Sequence, residues 1–269
     1  MRILEVMLSR KIFQCLPWRV QSTLYYRLFC PRRKRYSHWF DDAPLRLEPA
    51  VRMRLSPQDS FHGEIAFCGI YEAAESKAIH SLAKEPGGLL VDVGANYGYY
   101  TLMWCSAHPE NRAIAVEASP RNVRALRENI QRNGLEDRVR VMEWAASNKQ
   151  EDVCFELGSD QETGWGGIAK TPGSHYITVP GQRLDDNVDE PVSVLKVDCE
   201  GADAWVIEGA GRLLERGLIG NVFFEENVWR QDRLGIPQGS ATLRLTACGF
   251  EVANIGLQEA NFHAKRSRV

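Results

Sequence analysis

Leu89-Leu90-Val91-Asp92-Val93-Gly94-Ala95-Asn96-Tyr97-Gly98 is an apolar run that stops on a glycine-bearing turn. A short run of this kind, without polar alternation, predicts a strand buried on both faces, as in a parallel sheet. Gly94 and Gly98 let the chain turn sharply and come close to a bound molecule, and the residues beyond them read as a helix to about Ala107. In an open parallel sheet, ligands meet the carboxyl ends of the strands, so the chemistry of this turn is informative. A dinucleotide fingerprint would read G-x-G-x-x-G and cradle a pyrophosphate on amides and a helix N-terminus. Here the pattern is D-x-G-x-x-x-G. A carboxylate beside the loop repels a pyrophosphate and suits a ligand with an ammonium, a sulfonium and no phosphate, which points to S-adenosylmethionine (SAM).

The same grammar repeats downstream. Ala113-Ile114-Ala115-Val116 is a second strand ending at Glu117, and Ser119-Pro120 supplies an N-cap and a first-position proline for a helix reaching Asn133-Gly134. Val139–Met142 is a third strand and Val194–Val197 a fourth, ending at Asp198. A helix over about 202–216 is closed by Gly217, Val222-Phe223-Phe224 is a fifth strand ending in Glu225-Glu226-Asn227, and residues 240–252 add a helix and a strand. Alternating strands and helices predict a doubly wound, Rossmann-like α/β sheet. Upstream, a helix is expected over Ile70–Lys84, ended by Pro86-Gly87-Gly88. The catalytic domain is placed at 61–269, with its cofactor-binding core at about 88–254. Between the third and fourth strands, Gly158–Ser174 is polar, glycine-rich and too long for a plain connection.

Residues 1–60 form a separate, basic extension. Nine basic residues stand against Glu5 alone in the first 40, so that end carries +8 within a chain whose net charge is -2. The apolar series Ile3, Leu4, Met7, Leu8, Ile12 has helical spacing, and beside the basic, aromatic stretch it predicts an N-terminal helical element that contacts an anionic membrane, or alternatively the acidic remainder of the chain. No stretch approaches the ~20 apolar residues of a membrane span. Seven scattered cysteines without CxxC argue against a zinc site or disulfide framework and favour a cytoplasmic setting. The acidic core speaks against nucleic acid as a partner.

Glu117, 23 positions beyond Gly94, stands where a carboxylate accepts both ribose hydroxyls, a feature that SAM and NAD sites share. Glu143, Ala146 and Ser147, around Trp144 at the end of the third strand, are placed over the adenine. The cofactor set is therefore Asp92, Gly94, Asn96, Gly98, Glu117, Ala118, Glu143, Ala146 and Ser147. Asp198, Glu200, Glu225 and Glu226 all end strands beside the expected methyl group, although Asp198 and Glu200 also suit helix capping. Because side chains alternate along a strand, Glu226 is assigned to the site and Glu225 away from it. Asp198 and Glu226 are then the pair acting on the acceptor, as general base and orienter. A divalent ion such as Mg²⁺ on Asp198, Glu226 and Asn227 is the alternative; the metal-free version is preferred because only three ligands can be named. Lys196, inside a buried strand, needs an acidic partner. His175 at the end of the long loop is an acceptor-side candidate.

With these residues in view, the chain resembles the FkbM-type family of SAM-dependent methyltransferases over about residues 68–254. The resemblance rests on Val91–Thr101, on Ala115–Pro120 with Asn129 and Asn133, on Leu184-Asp185-Asp186, and on Lys196–Gly201 followed by Gly209-Ala210. It implies a class I SAM-dependent methyltransferase fold, a mostly parallel seven-stranded sheet with helices on both faces. It also implies transfer of a methyl group to a hydroxyl of a sugar, glycolipid or natural product. Two departures are visible: Glu117-Ala118 where the family often has Glu-Pro, and Asp203 where it commonly has Glu, which would shift a contact of Glu200 or Asp203 with the acceptor. A catalytically silent SAM-binding domain and an NAD-dependent oxidoreductase are the competing readings, the latter disfavoured by Asp92 and the missing third glycine.

Overall fold

The computed structural model describes residues 10–171, 173, 175–256 and 261–266, apart from the side chains of residues 11 and 12. The apolar series expected from Ile3 to Ile12 lies outside this description. The chain enters through α1 (Arg10–Gln14) and α2 (Trp18–Leu24), a π-helical turn at Tyr25–Phe29 and a 3₁₀ run at Cys30–Trp39, kinked at Tyr36. A short antiparallel pair, β1 (Ala43–Pro44) and β2 (Arg52–Met53), leads to α3 (Ser60–Cys68) and α4 (Ala73–Ala83). The helix expected over 70–84 is α4, which begins three residues later at Ala73, and α3 before it was not expected. Asp59 caps α3 by accepting from the amides of Phe61 and His62, and Gly69 ends it in the left-handed conformation (φ 71).

The regular part follows as β3 (Leu89–Val93), α5 (Tyr99–Ala107), β4 (Arg112–Val116), α6 (Pro120–Arg132) and β5 (Val139–Met142). Then come β6 (Ala145–Ala146), β7 (Glu151–Glu156), β8 (Gly167–Ile168) and β9 (Tyr176–Gln182), a side sheet of order β6-β9-β7-β8 that the hydrophobic pattern does not announce. The chain returns through β10 (Val192–Val197), α7 (Asp203–Gly209), α8 (Gly211–Glu215), β11 (Ile219–Glu225), α9 (Val228–Leu234), α10 (Ser240–Ala247), β12 (Phe250–Asn254) and β13 (Asn261–Arg266). The main sheet has the order β12-β13-β11-β10-β3-β4-β5. Strands β11, β10, β3, β4 and β5 run parallel, and β13 is antiparallel to both β11 and β12. This is the mostly parallel, seven-stranded, helix-flanked α/β sheet that the family resemblance implies.

The alternation of side chains sorts the sheet into two cores. Leu89, Val91, Val93, Leu195, Val197, Val222 and Phe224 face α7, α8 and α10. Leu90, Val194 and Phe223 face α4, α5 and the N-terminal segment, whose Phe13, Tyr25, Phe29 and Phe40 belong to the same buried cluster. Phe67 is the centre of that segment's packing, with ring contacts to Tyr25 and Phe29 at 5.3 Å and Trp39 at 4.7 Å. Part of its basic charge is spent inside: Arg10 donates to the carbonyls of Trp39 (2.6 Å), Asp42 (3.0 Å) and Ala66. Asn129 of α6 and Asn133, which caps its end, clamp β2 and the residue after it, each amide accepting from and donating to one residue's backbone, Arg54 for Asn129 and Arg52 for Asn133, at 2.7–3.1 Å. Their place in the motif is thus explained by a side-chain ladder that ties the N-terminal segment to the sheet.

Candidate active site

A cavity of about 1100 Å³ opens over the carboxyl ends of β3, β4, β10 and β11, walled by α2–α4, the 163–168 stretch and α9. Its size is at the upper end for small-molecule sites, enough for two ligands in contact. Its two ends differ in chemistry.

At the β3–β4 end, Gly94 takes φ +80, and a Cβ there would sit 2.0 Å from the carbonyl oxygen of Asp198. The glycine is thus required by the neighbouring strand end as much as by any ligand. Glu117 is buried, its Oε2 accepting from the Asn96 amide and its Oε1 from the Ser119 amide, both at 2.8 Å. Burial pushes its carboxyl up to about 6, opposed by these backbone donors. Each oxygen keeps a further acceptor site for a ribose hydroxyl. Ala118, Ser119, Asn122, Trp144, Ala145 and Ala146 complete this end. The Ser119 Oγ and Asn122 Oδ1 are buried without a hydrogen-bond partner, as groups are that await a polar ligand. The residues present therefore fit an adenosine-bearing cofactor.

Four expected cofactor residues are placed elsewhere. Asp92 does not line the cavity: it is buried, and its Oδ2 accepts from the amide (3.1 Å) and hydroxyl (2.6 Å) of Thr101, anchoring the first turn of α5. Gly98 (φ +93) faces Leu126, whose Cδ1 would lie 2.7 Å from an added Cβ, so it serves helix packing. Glu143 points outward to Arg127 (2.5 Å), and Ser147 is buried beside Asn148. Gly94, Asn96, Glu117, Ala118 and Ala146 do line the cavity.

At the β10–β11 end the cavity is lined by Glu72, Glu75, Tyr100, Lys196, Asp198, Glu200, Glu225, Asn227 and Asn261. Lys196 is the buried counter-charge. Its ammonium meets Asp198 Oδ2 at 2.9 Å and lies 4.8 Å from the centre of the Tyr100 ring. Crowded carboxyls titrate upward: burial first and the Asp198 charge second push Glu200 to about 8 and Glu225 to about 9, and burial first and the Glu72 charge second push Glu75 to about 8. Glu200, held in the left-handed conformation (φ 49), lies 3.7 Å from Arg230 Nε.

The assignment of Glu226 to the site is corrected by the sheet. Glu225 shares the face of Phe223 and Lys196, whereas Glu226 turns to α10 and accepts from the Thr242 hydroxyl at 3.0 Å. Alternation was right; nothing in the local sequence tells which face meets the cavity. The cation site of Asp198, Glu226 and Asn227 is consequently not assembled. Asp203 is fully buried and outside the lining, accepting from the amides of Cys199 (3.3 Å) and Glu225 (3.0 Å), so it joins the two strand ends. His175 is exposed and does not reach the cavity. Neither Asp198 nor Glu200 caps a helix; α7 starts later, at Asp203.

The 158–168 stretch is pinned at both ends of the cavity. Asp59 accepts from the Thr163 amide (2.6 Å) and hydroxyl (2.7 Å), while Arg230 donates to the Trp165 carbonyl (2.9 Å) and lies 5.6–5.8 Å from the rings of Trp229 and Trp165. Trp18, Arg19 and Tyr26 bring the N-terminal segment to the rim. None of Asp59, Glu72, Glu75 or Arg230 is flagged by a motif; only long-range folding brings them here.

Comparison with known proteins is consistent with this site. The profile of the family described as the methyltransferase FkbM domain matches residues 92–252. A 2-O-methyltransferase, NoeI, of Sinorhizobium fredii (strain NBRC 101917 / NGR234) is 26% identical over 171 residues, 55% of this chain and 69% of its own. Among solved structures, the methyltransferase FkbM of Methylobacillus flagellatus KT is 12% identical with a TM-score of 0.48, covering 90% of this chain and 60% of its own. An O-methyltransferase from Bacillus cereus in complex with SAH is 14% identical with a TM-score of 0.47, covering 92% and 97%.

Proposed function

The chain belongs to the FkbM family of SAM-dependent methyltransferases, and from that premise we propose that it methylates a hydroxyl of a neutral, sugar-like acceptor. The observation that carries the reading is the make-up of the β10–β11 end: carboxylates and amides that accept from and donate to hydroxyls, below a rim of Trp18, Trp165 and Trp229 whose faces suit a sugar ring. The two buried cations of this end, Lys196 and Arg230, are already engaged by Asp198 and by Glu156 and Glu200, which makes a phosphorylated acceptor a poor occupant. The relative NoeI, a 2-O-methyltransferase by name, supports oxygen as the receiving atom.

SAM supplies an electrophilic methyl on a sulfonium. The chain's residues do the rest. Glu117 with the Asn96 and Ser119 amides holds the nucleoside end, Gly94 lets the two strand ends close up, and the pinned 163–168 stretch limits water. Positioning of an acceptor oxygen in line with the methyl supplies much of such catalysis. No cation is required in this reading. Among the described residues no group of three or more His, Cys, Asp or Glu side chains is arranged to hold one. The test is methyl transfer from radiolabelled SAM to a panel of neutral glycosides, their phosphorylated counterparts and simple amines, with and without EDTA. Transfer to neutral glycosides that survives EDTA is expected. Transfer confined to amines or phosphorylated sugars, or abolished by EDTA and restored by Mg²⁺, overturns it.

A further inference from the structure

Among the described residues, only three non-glycine residues take positive φ, namely Glu72 (φ 42), Asn96 (φ 49) and Glu200 (φ 49), and all three line the cavity. Such strain persists only where the surroundings over-determine it. Asn96 and Glu200 belong to turns that sequence motifs already place at the site. Glu72 belongs to none. It precedes α4 without capping it, so the strained backbone serves the position of its carboxyl group.

That carboxyl is held from two directions. Tyr100, in the first turn of α5, donates to Oε2 at 2.9 Å, and Asn261, the first residue of β13, donates to Oε1 at 3.1 Å. Asn261 pairs in register with Glu225, three strands from β3, so Glu72 is held away from the β3–β4 crevice where the nucleoside belongs and beside the acceptor. We propose that Glu72 is the general base that takes the proton from the acceptor hydroxyl, a role that rests on the hydroxyl-acceptor reading above. The hydroxyl's proton passes to a Glu72 oxygen, the hydroxyl oxygen forms the bond to the methyl carbon, and the electron pair of the breaking carbon–sulfur bond goes to sulfur.

The other carboxyls of this end are less suited. Asp198 is engaged by the Lys196 ammonium and Glu200 by Arg230. Glu225 is hemmed by Asp198, Asp203 and Glu200 and holds its proton at neutral pH, which makes it a donor to the acceptor and not a base. Glu72 is raised as well, by burial and then by Asp198, but Lys196, Tyr100 and Asn261 oppose the rise. Tyr71 in the turn before α4, Tyr99 on α5, Glu75 on α4 and Glu64 on α3 are further titratable neighbours.

The test compares native, Glu72→Gln, Glu72→Asp and Glu225→Gln proteins by turnover on the glycoside panel, by calorimetry with S-adenosylhomocysteine (SAH), and by isotope-edited infrared titration of the carboxyl lost in Glu72→Gln. A base predicts that Glu72→Gln lowers kcat by roughly 10²–10⁴ and removes the low-pH limb of the rate profile while SAH affinity stays unchanged, with partial rescue in Glu72→Asp. It also predicts that the Glu72 carboxyl titrates lower with SAM bound than with SAH, because a nearby sulfonium favours the carboxylate. Near-native turnover of Glu72→Gln, transfer of the low-pH limb to Glu225→Gln, or loss of SAH affinity in step with kcat overturns the assignment. If the native protein methylates no glycoside, the acceptor reading fails by itself, and the infrared shift between SAM and SAH complexes decides for or against Glu72.

Discussion

The two ends of the cavity are built on opposite principles. At the nucleoside end one carboxylate, Glu117, is satisfied by two backbone amides from its own and the adjacent strand-end turn. At the acceptor end, Glu72, Glu75, Asp198, Glu200 and Glu225 come from three separate chain segments, with the buried Lys196 ammonium against Asp198 and Arg230 against Glu200. The first arrangement is local, cheap to form and tolerant of its surroundings. The second is a long-range balance of desolvation against Coulomb attraction, in which removing one member exposes all the others.

The contrast is most sharply tested at Lys196. Lys196→Met leaves Asp198 and its buried neighbours without a counter-charge, and breaking such a pair costs ~3–5 kcal/mol. Denaturant unfolding should show the largest loss above about pH 9, where Glu75, Glu200 and Glu225 are ionised as well, and a smaller one at neutral pH, where they hold their protons. An equal loss at both pH values would show that the ammonium is not the counter-charge.

At the other end the expected effect is smaller and confined to the ligand. Glu117→Ala should weaken SAH binding by ~1.5–3 kcal/mol, the scale of hydrogen bonds to a charged group, with the fold retained. Because the native carboxyl titrates at about 6, affinity should also fall as pH drops through that value, and Glu117→Gln should abolish this dependence. Calorimetry across pH checks both statements. A flat native profile would remove Glu117 from the ribose.

Stability of the ligand-free protein offers a third comparison. Glu75, Glu200, Glu225 and Asp203 have folded-state values of about 8, 8, 9 and 7, all above their ordinary range. A carboxyl raised in the folded state contributes stability at low pH that is lost as pH rises through the folded value. Unfolding free energy should therefore decline between about pH 5 and 9, by up to about 1.4 kcal/mol per pH unit for each proton released. Glu225→Gln should flatten the upper part of this curve, and a native curve that rises with pH over the same range would contradict the burial assigned to these groups.

The least effect is expected at the N-terminal rim. Removing residues 1–36 would strip Phe13, Tyr25 and Phe29 from the core, so the lipid-contact proposal is better tried with Val20→Ser and Leu28→Ser, both exposed. Each apolar side chain contributes ~1.5–3 kcal/mol when fully buried and less in an interface. Co-sedimentation with anionic vesicles that does not differ between native and double-variant proteins would remove the proposal.

How much of this was legible depends on the range of the interactions. Strands β3, β4, β5 and β10 and the glycine turn are legible because buried strands and tight turns are written in contiguous residues: runs without alternation, and glycines where φ is positive. The side sheet and β13 were missed, since short edge segments such as Asn261–Arg266 carry little periodic signal and gain their pairing from β11 and β12. Asp92 shows the limit within a motif. Its presence beside Gly94 is a matter of sequence, but its orientation toward Thr101 follows from the face of β3 that α5 covers. By itself, then, the sequence determined the fold class through local periodicity and spacing, the family through the motifs it resembles, and part of the nucleoside end, Gly94, Asn96, Glu117, Ala118 and Ala146. Only the tertiary structure decided that Glu225 and not Glu226 meets the cavity. Likewise, only the fold placed Glu72, 126 positions before Asp198, and the N-terminal segment in its wall. Side-chain parity and charge balance are settled by which elements pack on which face of the sheet, and no single stretch of chain contains that information.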